Sequence, residues 1–266
     1  MEPNARNHTI TRVALEGRLK KCSQVVTLGV RPNFCDYSDQ EQALIRGAFK
    51  IYYPSSFYAD LFDAMGKPTF PGYHTYTYAQ DKIKQTALFK LLGIPHPRTR
   101  VYYGKRQKAA ISSHFTFPFI AKVPRGSALG RGVFLIDSPE ALERYCQYHP
   151  VAYIQEYLPI ERDMRIVVIG TRVVHAYWRV APAGDFRSNI AAGGAIDLSE
   201  VPREARELAL RTALACKWDD VGIDVCRYRG AHYVLEANMK YGRQGFRQAG
   251  IDYDSLMEQL IVDGCI

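Results

Sequence analysis

The chain has 266 residues, 47% of them hydrophobic and 23% charged, with 35 Lys and Arg against 27 Asp and Glu for a net charge of +8. This length and composition suit one large folded domain or a few small ones and exclude intrinsic disorder. No apolar run reaches membrane-spanning length, and Met1–His8 lacks the apolar core of a signal peptide, so a cytoplasmic protein is expected.

Positive residues are spread along the chain, and the densest short cluster is Arg18, Lys20 and Lys21. Small anionic substrates account for the charge as well as nucleic acid does, and nucleic acid is the less favoured partner. The six cysteines form no Cys-x-x-Cys pair, so a reduced and mostly buried role is expected.

In chain order, residues 10–22 read as a short amphipathic helix, Val25 to Val30 as a buried strand, and Asp36 to Ala48 as a helix capped by Asp36 or Ser38. Ile51-Tyr52-Tyr53 is a strand cut off by Pro54, and Ser55 to Met65 is a helix ended by Gly66. This alternation predicts a small parallel α/β unit, and Pro68 to Gly72 leads out of it. Tyr78 to Leu92 is a helix stopped by Gly93, Pro95 and Pro97. Strands follow at Phe117–Val123 and Gly132–Ile136, then a helix from Ser138-Pro139 to Tyr148 and a strand Val151–Tyr157. Arg165 to Val180 is a hairpin turning at Gly170-Thr171, Pro202 to Lys217 a helix, and Asp254 to Val262 a closing helix.

Between the last two helices, Gly222-Ile223-Asp224-Val225 and Tyr233-Val234-Leu235-Glu236-Ala237-Asn238 flank Gly230 and read as a β-hairpin. Alternation places Glu236 and Asn238 on one face, where Asp224 can oppose them. Two carboxylates and an amide oxygen suit magnesium; the plainer reading is the polar face of an exposed hairpin. Lys122 sits inside the apolar run Phe119-Ile120-Ala121-Lys122-Val123, where a phosphate would offset the cost of burying its charge; otherwise it snorkels outward. Gly126-Ser127-Ala128-Leu129-Gly130-Arg131-Gly132 follows at once. Its amides can approach phosphate oxygens, or it is only a hairpin turn; it is not a Walker loop. Lys82, beside Asp81, is a second phosphate contact or an ordinary helix lysine. Gln155-Glu156-Tyr157-Leu158 ends a strand at Pro159, and Asp163 follows within reach of a ribose hydroxyl.

In this order, Asp81-Lys82, Ala121-Lys122-Val123, the glycine loop, Gln155-Glu156-Tyr157, Asp163-Met164-Arg165, Gly184-Asp185-Phe186-Arg187-Ser188-Asn189, Gly193-Gly194, Gly222-Ile223-Asp224-Val225 and Glu236-Ala237-Asn238 run from about residue 78 to the end. The series resembles the ATP-grasp superfamily, and within it the RimK-like α-L-glutamate ligases. The resemblance implies an α/β (α+β) ATP-grasp fold with an ATP-grasp domain over residues 76–266; the short N-terminal α/β unit over residues 1–75, read from the alternation above, shows no match to the family and is short for it. The ATP-grasp domain divides into a glycine-loop lobe, 76–154, and a metal-binding lobe, 155–266, which grip ATP.

It also implies an ATP-dependent carboxylate–amine ligase working through an acyl phosphate, with magnesium or manganese. ATP would contact Lys82, Lys122, the loop residues Gly126, Ser127, Gly130 and Gly132, the hinge at Glu156 and Tyr157, Asp163 at the ribose, and Arg187, Ser188 and Asn189 at the terminal phosphates. Asp224, Glu236 and Asn238 would hold the metal. Arg187 and Asn189 are the catalytic candidates, joined by Arg165 and Arg179, which could hold a substrate carboxylate or form structural ion pairs.

The family's serine-proline-glycine segment after Glu-x-Asn is replaced by Met239-Lys240-Tyr241-Gly242-Arg243-Gln244-Gly245-Phe246-Arg247. Added positive charge there favours an anionic amino acid or peptide, and glutamate specificity does not carry over. A non-catalytic ATP sensor or scaffold, a small-molecule kinase on the same site and a basic nucleic-acid binder are the competing functions, and a homodimer is left open.

Overall fold

The computed structural model describes residues 12–126, 132–182 and 193–266. The chain divides into two compact units: one holds the residues up to Thr77 together with Gly250–Ile266, the other Tyr78–Ala249.

The first unit is built on four short parallel strands, β1 (Val13–Ala14), β2 (Val26–Thr27), β3 (Ile51–Tyr52) and β4 (Thr69–Phe70), in the order β2-β1-β3-β4. Helices α1 (Asp39–Gly47), α2 (Ser55–Ala64) and α3 (Tyr73–Thr77) belong to it. Ser38, rather than Asp36, caps α1 in a reciprocal capping box with Glu41. The helix expected over residues 10–22 is instead the strand β1 and a 3-10 turn at Gly17–Leu19. Val13, Ala14 and Leu15 are all fully buried at the centre of the sheet. A short apolar run covered on both faces has no strand periodicity to read.

The second unit holds two antiparallel sheets. After α4 (Lys82–Leu92) come β5 (Thr99–Tyr103), α5 (Gly104–Lys108), α6 (Ile111–His114), β6 (Phe119–Lys122), β7 (Val133–Ile136), α7 (Pro139–Tyr148) and β8 (Val151–Glu156). Their four strands lie in the order β5-β8-β6-β7. Next are β9 (Arg162–Ile169), β10 (Arg172–Val180), β11 (Ala195–Asp197), α8 (Arg203–Ala215), β12 (Asp220–Tyr228), β13 (Ala231–Asn238) and α9 (Gln244–Gln248). These five strands run β11-β10-β9-β12-β13. Strands β5 and β11 and helices α5, α6 and α9 have no counterpart in the sequence reading.

Alternation divides the five-stranded sheet. Met164, Ile166 and Val168 of β9, with Val221, Ile223 and Val225 of β12, pack against Ala205, Leu208, Ala209 and Ala213 of α8 and Phe89 of α4. The opposite face therefore receives Asp163, Arg165, Asp224, Glu236 and Asn238. The closing helix, α10 (Tyr253–Val262), belongs to the first unit, whereas the sequence reading placed it with the metal-binding lobe. Asp252 caps it, and Tyr253, Met257, Leu260 and Ile261 are buried. All six cysteines are free thiols; Cys22, Cys216 and Cys226 are buried and Cys35 is exposed.

Candidate active site

Strand register builds the site. Across β10, β9, β12 and β13, Tyr177, Arg165, Asp224 and Glu236 form one row. The neighbouring row is His175, Val167, Gly222 and Asn238. The three expected metal ligands thus share a face on two paired strands. A bulge between Asp224 and Val225 leaves Leu235 without a cross-strand partner. Consecutive residues Leu235 and Glu236 then line the same cleft, which regular alternation forbids. Helix α4 fixes this edge strand, because the Gln85 side chain donates to Ala237 O (2.9 Å) and accepts from Ala237 N (3.1 Å).

The carboxylates are pre-engaged. Arg165 Nε donates to Asp224 Oδ1 at 2.5 Å and Arg165 Nη2 to Oδ2 at 3.2 Å. Arg179 bridges Asp163 (2.7 and 2.8 Å) and Asp224 Oδ2 (2.9 Å). Asn238 Nδ2 donates to Asp224 Oδ2 at 3.0 Å. Burial works against the charged form of Asp224, but Arg165 and Arg179 outweigh it and hold the carboxyl below its usual range. Burial also opposes the Arg179 charge, and Asp163 and Asp224 more than reverse that. Of the two readings for these arginines, the ion pairs are the ones present.

Lys82 Nζ lies 3.1 Å from Glu236 Oε1 and its side chain is buried, so it is not an ordinary exposed helix lysine. Lys122 differs. It is 8% exposed, lines the cleft, and makes no side-chain hydrogen bond or ion pair among the described residues. Burial pushes its ammonium below the usual lysine range, with Glu236 pulling the other way. The outward-snorkelling alternative does not hold.

The cleft lies between the two sheets of the second unit. Ile120, Val133, Leu158, Ile160, Leu235 and Pro97 give it apolar walls, and Lys122, Glu156, Asp163, Arg179, Asp224 and Glu236 give it charge. Tyr157 and Leu158 follow the end of β8, and the Leu158 backbone makes no hydrogen bond among the described residues. Glu156 turns its carboxylate to Arg98 N at 2.5 Å. Asp163 lines the cleft, but its carboxylate is the counter-ion of Arg179, which leaves a ribose only its remaining lone pairs. Gly126 and Gly132 frame the glycine loop with positive φ. Its base is tied down by the Arg125–Asp81 ion pair (2.9 Å) and by Gly126 N donating to Gln80 O. Ser127, Gly130, Arg187, Ser188 and Asn189 lie outside the described residues.

Sequence reasoning missed Gln85, Leu235, Ile160 and Pro97. Pro97 had been read only as a helix stop, and no short-range signal marks the others.

The donor set is chemically suited to a hard dication: two carboxylates and an amide whose Oδ1 accepts no hydrogen bond among the described residues. Among the described residues no three His, Cys, Asp or Glu converge on one point. The unpaired Lys122 and the apolar walls suit a nucleotide in the same way.

The family model for the RimK-like ATP-grasp domain matches residues 79–261. The chain belongs to the RimK-like ATP-grasp family. It is 30% identical over 193 residues to the ribosomal protein bS6–L-glutamate ligase of Salmonella paratyphi B. That match covers 70% of this chain and 64% of the relative's length. Among solved structures it is similar to a RimK domain ATP-grasp protein of Sphaerobacter thermophilus, with TM-score 0.67, 17% identity and 94% and 98% of the two chains covered. The ATP-grasp ligase PsnB complexed with a minimal precursor gives TM-score 0.69 and 16% identity, covering 96% and 98%. D-alanine–D-alanine ligase of Bacillus anthracis gives 0.66 and 14%, covering 94% and 96%. These structural likenesses establish the ATP-grasp fold implied by the sequence motifs. Among the described residues no helix is long and apolar enough to cross a membrane.

Proposed function

We propose that this RimK-like ATP-grasp protein is a cytoplasmic, ATP-dependent carboxylate–amine ligase. A substrate carboxylate attacks the γ-phosphorus of ATP, giving an acyl phosphate and ADP. An amine then attacks the acyl carbon, forming an amide and releasing phosphate. The observation that carries the reading is Lys122, a buried ammonium that makes no hydrogen bond or ion pair among the described residues, facing a cleft whose opposite wall presents Glu236 and Asp224. A buried cation left unpaired is costly, and phosphate oxygens offset that cost directly.

The roles follow from placement. Lys122 and Lys82 take the phosphates, and the cleft beside Tyr157 and Leu158 takes the base, with the Leu158 backbone free to pair its edge. Asp224, Glu236 and Asn238 hold the magnesium, which when bound neutralises phosphate charge. Arg165 and Arg179 hold Asp224 in position until then, and Arg179, which lines the cleft, would stabilise negative charge as it develops in phosphoryl transfer. Gln85, through Ala237, keeps Glu236 and Asn238 in register. The relatives named for ribosomal protein bS6 and for a precursor peptide favour a peptide or protein as one substrate here, and Lys240, Arg243 and Arg247 favour an anionic one.

A trapping assay tests this reading. Purified protein is incubated with ATP, magnesium and single acidic amino acids or acidic peptides, with hydroxylamine replacing the amine. The expected result is ADP together with the hydroxamate of one carboxylate. ADP accompanied by a stable phosphoester and no hydroxamate contradicts the ligase and identifies a kinase.

A further inference from the structure

We propose that the face of the four-stranded sheet formed by β5 and α5, centred on Arg98 and Arg100, is a docking site for an acidic segment of a polypeptide partner. The starting point is a charge asymmetry. Between Asp81 and Asp137 the sequence has eleven Lys and Arg and no Asp or Glu, more positive charge than the +8 of the whole chain. Some of these cations are committed. Lys82 faces Glu236, Arg125 faces Asp81, and Lys108 donates to Cys146 O and His149 O at the end of α7.

Arg98 and Arg100 are exposed, and neither guanidinium has a carboxylate partner among the described residues, although the Arg98 backbone N–H donates to Glu156 Oε1. They are nevertheless held. Arg98 lies over the Phe115 ring at 4.5 Å and donates through Nη1 to His114 O at 2.8 Å. Arg100 lies over the Tyr102 ring at 5.3 Å and donates through Nη1 to His114 Nε2 at 3.1 Å. A guanidinium only donates, so Nε2 accepts and the Nδ1 proton of His114 faces Tyr102 Oη, 3.0 Å away. Two guanidiniums are thus fixed around one histidine, each with donors to spare. Much of the side-chain entropy that an arginine loses on binding an anion is already lost here. Lys105 and Arg106, exposed on α5, extend the positive face.

The backbone edge of β5 is capped at both ends: Lys90 Nζ donates to Thr99 O, and Tyr103 N donates to Gln107 Oε1 at 2.8 Å. That leaves too short an open edge for a strand to add along β5, and side-chain charge is the recognition the face offers. Carboxylates fit the fixed forks bidentately. Single-stranded nucleic acid needs aromatic faces for successive bases, but Tyr102 and Phe115 are buried beneath the arginines and the exposed ring of β5 is Tyr103 alone.

The test uses the intact protein without ATP, so it is independent of the ligase reading. Fluorescence anisotropy is measured with a labelled octaglutamate, an uncharged peptide of equal length and a single-stranded RNA octamer. The expected result is salt-sensitive binding of octaglutamate in preference to the other two, weakened by about tenfold or more in Arg98→Ala/Arg100→Ala. The increase in melting temperature with magnesium and ATP stays unchanged in that variant. Should it melt lower, Lys105→Glu/Arg106→Glu, at exposed positions of α5, decides, and a comparable loss of octaglutamate binding is expected. Octaglutamate bound no better than the uncharged peptide, tighter binding of RNA, or unchanged affinity in both variants overturns the proposal.

Discussion

The cleft face of the five-stranded sheet and the β5 edge of the four-stranded sheet both carry arginine, held in opposite ways. In the cleft, Arg165 and Arg179 are buried and matched to Asp224 and Asp163 by contacts between 2.5 and 3.2 Å. At the edge, the Arg98 and Arg100 guanidiniums are exposed and held by rings and a histidine, with no carboxylate on either among the described residues. The first arrangement stores charge inside the fold, where each member depends on the others. The second leaves charge available to whatever arrives. Lys122 combines the two: it is buried like the cleft arginines and unpaired like those at the edge.

The sharpest break in this comparison comes from Asp224→Asn. It removes the carboxylate that serves both Arg165 and Arg179, and removing one partner of a buried network costs about 3 to 5 kcal/mol. Chemical denaturation should show a loss of that order; an unchanged midpoint would mean the buried pairs do not hold the face together. Gly222→Ala comes next. Its Cβ would stand 2.9 Å from Arg165 Cδ and 3.0 Å from Tyr241 Cβ, and overpacking of this kind costs about 1 to 3 kcal/mol. Magnesium–ATP affinity should fall as well, because Arg165 must shift off Asp224. Arg100→Ala gives the smallest change: the loss of one exposed cation–π contact is worth about 0.5 to 1 kcal/mol. A loss as large as that of Asp224→Asn would erase the distinction between the two regions.

Much of the cleft was legible in the sequence because its signals are local. A lysine in an apolar strand and a Glu-x-Asn opposite an Asp need only strand alternation. What escaped depends on register and packing. The hairpin turn after Ile169 pairs Ile169 with Arg172, and carried down without interruption that register would set Asp163 against Trp178. The bulge between Val173 and His175 moves Arg179 into that place. No local pattern announces the bulge, so the pairing of Arg179 with Asp163 in particular could not be read from spacing. The β5 clamp escaped because the histidine and the phenylalanine that hold Arg98 and Arg100 come from 14 to 17 positions later. The buried strand β1 escaped because an apolar run covered on both sides fits a helix as well as a strand.

The most direct measurement is a calorimetric titration of magnesium–ATP into wild type and Lys122→Met, with thermal melting of both unliganded proteins. An unpaired buried ammonium contributes to the ligand and not to the empty fold. The variant should melt at or above the wild-type temperature and bind magnesium–ATP about 1 to 3 kcal/mol more weakly, the worth of a charge-assisted bond. Equal affinity in the two proteins would contradict the assignment of this cleft to ATP through Lys122.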